Sequence, residues 1–161
     1  MTRVRFNWIL TGMLAGVALA TLGVTTSYSQ DMPSGQALVD LRIQGLKAAG
    51  GGMKFLASYD GSDQASAAKA AKAIDDAAAG LTVWFPEGSG PGGAGITETR
   101  AKPEIWSDAA GFTAKIKAFD DASGVLTNAV AGNDTAAIQA AFAEVGKSCK
   151  ACHEAYRAPE E

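Results

Sequence analysis

"VGKSCKACHEAYR", residues 145–157, holds both cysteines and the only histidine of this 161-residue chain. Four chemistries use such a cluster: a disulfide, a metal site, a redox thiol pair and covalent attachment of haem. The choice depends on what backbone carries it. Ile138, Phe142, Val145, Cys149, Cys152 and Tyr156 recur at alternating spacings of four and three, the mark of one face of an α-helix. Pro159 marks the end of that helix.

Working outward, the same periodicity recurs three more times. Pro33 suits a first helical turn, and Val39, Arg42, Leu46, Ala49, Met53 and Leu56 form the stripe that follows. "YDGSD" (59–63) interrupts it, with Ser62 or Asp63 placed to cap a second, alanine-rich helix. Ala67, Ala71, Ile74, Ala78 and Leu81 are the second stripe, and Gly80 is placed to end it. Pro103 starts a third helix with Ile105, Ala109, Phe112, Ile116 and Phe119 on one face, and "AGNDT" (131–135) separates it from the fourth. Four such stripes predict an all-α, antiparallel four-helix bundle. The middle connection, about Leu81 to Lys102, contains "GSGPGGAG" (88–95) and reads as a crossover along the bundle, with Trp84 and Phe85 in a core or cofactor wall.

The N-terminus reads as an export signal: Arg3 and Arg5, an apolar run from Trp8 to about Val24, then Ser27 and Ser29 suited to cleavage. Cleavage after Ser29 gives two segments, a signal peptide over 1–29 and a single domain over 30–161. An uncleaved anchor is the alternative, because the apolar run is long for a signal. Removing Arg3 and Arg5 from 14 cations leaves 12 against 17 acids, a mature charge of −5. An acidic chain without Lys/Arg clusters argues against nucleic acid or an anionic membrane as partner.

On a helix, Cys149 and Cys152 emerge on one face with Cβ atoms roughly 5–6 Å apart. Cys-x-x-Cys-His is a specific pattern for c-type haem attachment: two thioethers to the vinyl groups, and His153 as axial ligand. Zinc would need more Cys or His than the chain has. A thioredoxin-like pair usually begins a helix in an α/β fold, and a disulfide within a regular helix turn is strained. Export and a helical host agree with haem.

The second axial position has no histidine available. Met32 precedes the first helix, and Met53, on its stripe, suits core filling better than ligation. Arg42 lies on the apolar stripe and needs a counter-charge, which a haem propionate would supply; the alternative is a snorkelling side chain. Leu46, one turn on, would lie over the haem without ligating it. Arg157, one turn after His153, sits either beside the imidazole and a propionate or in solvent at the helix C-terminus. Lys150 reads as surface.

These residues resemble the class II cytochromes c, and cytochrome c′ in particular. The similarity runs from "LVDLRIQGLKAAGGGMKFL" (38–56) through "KPEIWSDAAGF" (102–112) to "VGKSCKACHEAYR". Cytochrome c′ is itself a standard example of a four-helix bundle, so the resemblance and the fold expectation are not independent. It implies that Arg42 contacts a propionate, that Leu46 covers the distal face and that Arg157 lies near the proximal face. Phe85 resembles a distal aromatic, with Trp84 as the other candidate. Six-coordinate relatives carry a methionine where Leu46 stands. The resemblance therefore implies a periplasmic, non-enzymatic protein with one haem c and five-coordinate iron that binds NO or CO. Electron exchange with a redox protein and homodimerisation through the first two helices are further implications. The alternative is a six-coordinate electron carrier, with Met53 or an outside group completing the sphere; a helical thiol scaffold is a remote third.

Overall fold

A computed structural model of the chain describes residues 32–159. The signal peptide expected over 1–29 lies outside the described residues. Five helices follow in order: α1 (Gly35–Leu56), α2 (Gln64–Leu81), the single turn α3 (Glu104–Ser107), α4 (Ala109–Ala131) and α5 (Thr135–Tyr156). The four long ones are the expected bundle.

Three of them start on an aspartate that does the same work. Asp63, Asp108 and Asp134 each accept a hydrogen bond from the backbone N–H three residues on, at 3.0, 3.1 and 3.0 Å. Each cap satisfies a donor that the helix cannot, a contribution of about 1 kcal/mol.

The boundaries correct three expectations. Pro33 precedes α1, whose N-cap is Ser34. The third helix is not continuous from Pro103: Asp108 (φ −118°, ψ 54°) breaks it, ending α3 and capping α4. Ala109, expected on the buried stripe, is exposed because the break rotates it outward. Gly80 does not end α2 but lies inside it, where the indole of Trp84 packs between Gly45 of α1 and Gly80; a Cβ on either glycine would overlap the ring. Closeness of packing, not termination, requires that glycine.

The stripes otherwise face inward. All five predicted α2 positions are buried, and Leu56, Ile74, Leu126, Ile138 and Val145 are fully enclosed. At one end of the bundle the Tyr59 hydroxyl donates to Asn133 Oδ1 at 2.7 Å, and Gln139 Nε2 donates to the Leu56 carbonyl at 3.2 Å. The first ties the α1–α2 turn to the α4–α5 turn and the second ties α5 to the end of α1, as antiparallel helices require. Asn133 takes a left-handed φ of 50°, which asparagine tolerates. The packing is uneven: α1 lies broadly on α2, α2 on α4 and α4 on α5, while α1 and α5 touch only over a small area. The bundle is open along that seam.

The glycines give a direct test of this packing. Gly80→Leu is expected to destabilise by about 2 kcal/mol, since overpacking costs roughly 1–3 kcal/mol and outweighs the helix-propensity gain of under about 1 kcal/mol. Gly50, with nothing within 4 Å of a Cβ, is the control. Gly50→Ala should stabilise by up to about 1 kcal/mol. Urea midpoints of the two variants moving in the same direction would contradict the Trp84 clamp.

Candidate haem site

The open seam is a cleft of about 640 Å³, within the roughly 300–1,000 Å³ range of cofactor sites. Arg42 and Leu46 stand on its α1 wall; Cys149, Cys152, His153 and Arg157 stand on its α5 wall; Phe85, from the crossover, closes one side. All seven residues singled out from the sequence are therefore brought to one cavity. The mouth is cationic, with Lys47, Arg100, Lys115 and Arg157 against Asp40 and Glu98.

On α5 the two cysteines are half-buried free thiols. Cys149 packs on the main core, and Cys152 packs on a smaller cluster of Ile105, Phe112 and Tyr156. Burial pushes both thiols up in pKa, and for Cys152 its neighbour Cys149 adds to the rise, while Lys115 opposes it. Protonated, inward-facing thiols lack the depressed pKa of a redox thiolate pair. His153 is pushed down in pKa, first by burial and then by the charges of Arg157 and Arg100. A neutral imidazole keeps a lone pair for a metal.

Arg42 is 3 % exposed, yet none of its partners among the described residues is a carboxylate. Its Nη2 donates to the Ser89 carbonyl (3.0 Å) and Thr99 Oγ1 (2.8 Å), and Nη1 donates more weakly to Ser89 Oγ (3.4 Å) and the Trp84 carbonyl (3.5 Å). Its guanidinium also lies 4.5 Å from the centroid of the Phe85 ring. Neutral oxygens and an aromatic face orient the cation but leave its charge uncompensated, and desolvation lowers its pKa. A cation so placed fits an acidic ligand group in the cleft, as a haem propionate would be. The snorkelling alternative does not fit a guanidinium this enclosed.

Several participants escaped the sequence reading. Ser89 and Thr99 sit in the glycine-rich crossover, where no periodicity marks them. Arg100, whose Nε and Nη2 donate to the Ala158 carbonyl at 3.0 and 2.8 Å, reaches the cleft through a backbone pairing of Ala101 with Arg157. Trp106 of α3 donates from Nε1 to the carbonyls of Phe85 (3.3 Å) and Pro86 (3.0 Å), fixing the segment that carries Phe85. Phe85, not Trp84, borders the cleft. Met53 does not border it: half-buried against the main core, it places its terminal methyl 3.9 Å from a Cβ position on Gly146 of α5.

Tyr156 closes the floor. Its hydroxyl donates to Asp108 Oδ2 at 2.8 Å, tying the end of α5 to the cap of α4, and its pKa is pushed up to about 12 by that bond and by burial. A raised folded pKa means that the contribution is complete below the unfolded value of about 10 and fades as pH rises towards 12. Tyr156→Phe should therefore lower the denaturation midpoint at pH 7. The gap from wild type should narrow between pH 10 and 12; a gap that widens there would contradict the bond.

A helical bundle with Cys-x-x-Cys-His on its last helix and a cationic, apolar-walled cleft defines a class, the c-type haem-binding bundles. The family described as cytochrome C′ matches residues 38–157. The chain is 40 % identical over 127 residues to cytochrome c′ of Pararhodospirillum photometricum, covering 77 % of this chain and 98 % of that one. It is 36 % identical over 149 residues to cytochrome c′ of Rhodospirillum rubrum, covering 91 % and 97 %. Among solved structures, a cytochrome c′ with ligand-controlled dimer dissociation superposes with a TM-score of 0.70 at 26 % identity, over 79 % of this chain and 98 % of the other. A ferrous variant of cytochrome c′ from Alcaligenes xylosoxidans with bound NO gives 0.64 at 29 % identity, over 78 % and 96 %. This chain belongs to the cytochrome c′ family and carries one covalently attached haem c.

Proposed function

We propose that Cys149 and Cys152 anchor the haem, that His153 is its one protein ligand, and that the protein binds NO and CO at a five-coordinate iron. When bound, the haem supplies an iron that takes a diatomic ligand or one electron. Cys149 and Cys152 would hold the haem covalently, each thiol being able to add its S and H across one vinyl C=C as a thioether. His153 presents a neutral imidazole from the α5 wall. Arg42, held by Ser89, Thr99 and Phe85, would receive a propionate, and Arg157 and Arg100 bring positive charge to the mouth beside His153.

One observation carries the reading. Leu46, on the α1 wall facing the seam, is aliphatic and cannot ligate, and Met53 lies outside the cleft lining, half-buried against the main core. Ile43, Leu46 and Phe85 offer no hydrogen bond with which to stabilise polarised, bound O₂, so an apolar distal wall favours NO and CO. The NO complex described for the Alcaligenes xylosoxidans relative supports the same ligand class.

The role is binding, sequestration or electron exchange with a redox protein, not enzymatic turnover. Arg3, Arg5 and the apolar run after them support export to the periplasm as a protein free of the membrane after cleavage, and no helix among the described residues is long and apolar enough to cross a membrane. Homodimerisation belongs to the same reading, supported by the relative whose dimer dissociation is ligand-controlled.

Optical spectra of ferric and ferrous protein, with and without NO, test the proposal. High-spin ferric iron and a five-coordinate ferrous state are expected; a low-spin ferric spectrum with methionine character would establish the six-coordinate carrier instead. Leu46→Ala should accelerate CO association about tenfold, the effect of removing about 1.4 kcal/mol of steric barrier. Unchanged association would remove Leu46 from its covering role.

A further inference from the structure

The last part of the crossover borders the cleft through Glu98, Thr99, Arg100 and Ala101, and it is bonded to both cleft walls. On the α1 side, the Gln36 backbone N–H donates to the Gly95 carbonyl at 2.8 Å. The Gln36 side-chain Oε1 accepts from the Thr97 N–H (3.0 Å), the Thr97 hydroxyl (3.1 Å) and the Glu98 N–H (3.1 Å). Arg42 then reaches Thr99 Oγ1. On the α5 side, the Lys102 N–H donates to the Tyr156 carbonyl at 3.0 Å, and the Ala158 N–H donates to the Arg100 carbonyl at 2.8 Å. Lys102 Nζ also donates to the carbonyls of Glu154 (3.1 Å) and Ala155 (3.3 Å), capping the end of α5. Thr99 joins the two halves, because its Oγ1 accepts the Ala101 N–H as well, at 3.2 Å.

Gln36 is built into this strap. Three donors converge on its one oxygen and its Nε2 is committed to Asp40 Oδ1 at 3.0 Å, so the amide has a single orientation. Gly35 permits the close approach: it takes φ +57°, and a Cβ there would meet the Gly95 carbonyl oxygen at 3.0 Å. The contact gives a first-turn N–H of α1 the partner that the helix itself lacks. Elsewhere the two walls are linked less directly. α1 and α5 touch only over a small area, and the longer route between them runs through α2 and α4. The strap is therefore the short mechanical link between the wall that carries Leu46 and the wall that carries His153.

We infer that Gln36 is a positioning residue for gas binding: by clamping residues 97–98 to the start of α1, it holds the Leu46 wall at a set distance from the His153 wall. The inference rests on the gas-binding reading above. Leu46 covers the ligand position by contact, and contact interactions lose a quarter to a half of their strength over a gap of roughly 0.5–1 Å. A slackened strap thus relieves the cover without removing it. Gln36 acts through the wall, not on the ligand, since both ends of its amide are already engaged by Asp40 and the crossover. Lys102 serves the same link from the other end and does not border the cleft, which separates the effect of the strap from any change in cleft lining.

Hydrogen exchange of the holoprotein gives a readout independent of iron ligation. In Gln36→Leu the amides of Thr97 and Glu98 lose their acceptor and should exchange about tenfold faster. Gln36→Glu keeps an acceptor oxygen and should restore slow exchange. CO association should rise about threefold in Gln36→Leu, return towards wild type in Gln36→Glu, and rise about twofold in Lys102→Met. The C–O stretching band should broaden in the two loosened variants, since a merely less stable protein with an unaltered cleft would keep its width. Unchanged exchange at Thr97 and Glu98 would overturn the clamp. Faster exchange with unaltered CO association in both Gln36→Leu and Lys102→Met would overturn the positioning role, and a Gln36→Leu protein that did not fold would leave Lys102→Met to decide it. Wild-type protein that bound no CO would instead overturn the gas-binding function, with exchange still deciding the clamp.

Discussion

Cys149→Ser combined with Cys152→Ser is expected to leave no covalently bound haem. After denaturing electrophoresis, wild type should keep a haem-stained band and a mass increased by the cofactor, whereas the double variant should show neither. The cause is chemical: a protonated but soft thiol adds across a vinyl group under conditions in which a serine hydroxyl does not. The geometry also makes the single variants informative. Cys149 sits against the main core and Cys152 against the Ile105–Phe112–Tyr156 cluster, so each can still form its own thioether when the other is lost. Each single variant should retain covalent haem through one bond. Stain persisting in the double variant would dissociate the cysteines from attachment.

Arg42→Met carries the second large effect. The substitution removes a cation that four hydrogen bonds and an aromatic face hold at 3 % exposure; it leaves the Ser89 carbonyl without its Arg42 donor, while Thr99 Oγ1 keeps only the Ala101 N–H at 3.2 Å. A buried acceptor deprived of its partner costs about 1–3 kcal/mol, so a total of roughly 2–4 kcal/mol is expected, partly relieved because Thr99 is only half-buried. In thermal unfolding of the holoprotein this is a fall in Tm on the order of 10 °C. Arg42→Lys should fall between the two, because an ammonium keeps the charge for a propionate but cannot span Ser89 and Thr99 as a planar fork. A midpoint unchanged in Arg42→Met would show that the crossover is positioned without it.

The sequence yielded the bundle and the haem-binding motif because both are written in consecutive residues. A helical stripe repeats every three or four positions, and Cys149, Cys152 and His153 are neighbours on α5 before any tertiary contact forms. Even Arg42 was visible, since a cation on an apolar stripe breaks a local pattern. The misreadings were also local. Pro103 does open a helix, but α3 lasts a single turn before Asp108 breaks it and caps α4, and Gly80 makes room for Trp84 instead of ending α2.

What closes the cleft was not legible, for a reason of distance along the chain. The partners of Arg42 lie 42, 47 and 57 residues away, in a crossover without periodicity. Nothing in "LTVWFPEGSG" distinguishes Trp84 from Phe85 as the cleft residue; two glycines on separate helices take the indole, and that leaves Phe85 to the cavity. Arg100 likewise reaches His153 only because Ala101 pairs with Arg157. Periodicity and a contiguous motif thus determined the four long helices and the kind of cofactor. Long-range packing alone decided which side of the bundle stays open, which aromatic walls it and which charges surround the histidine.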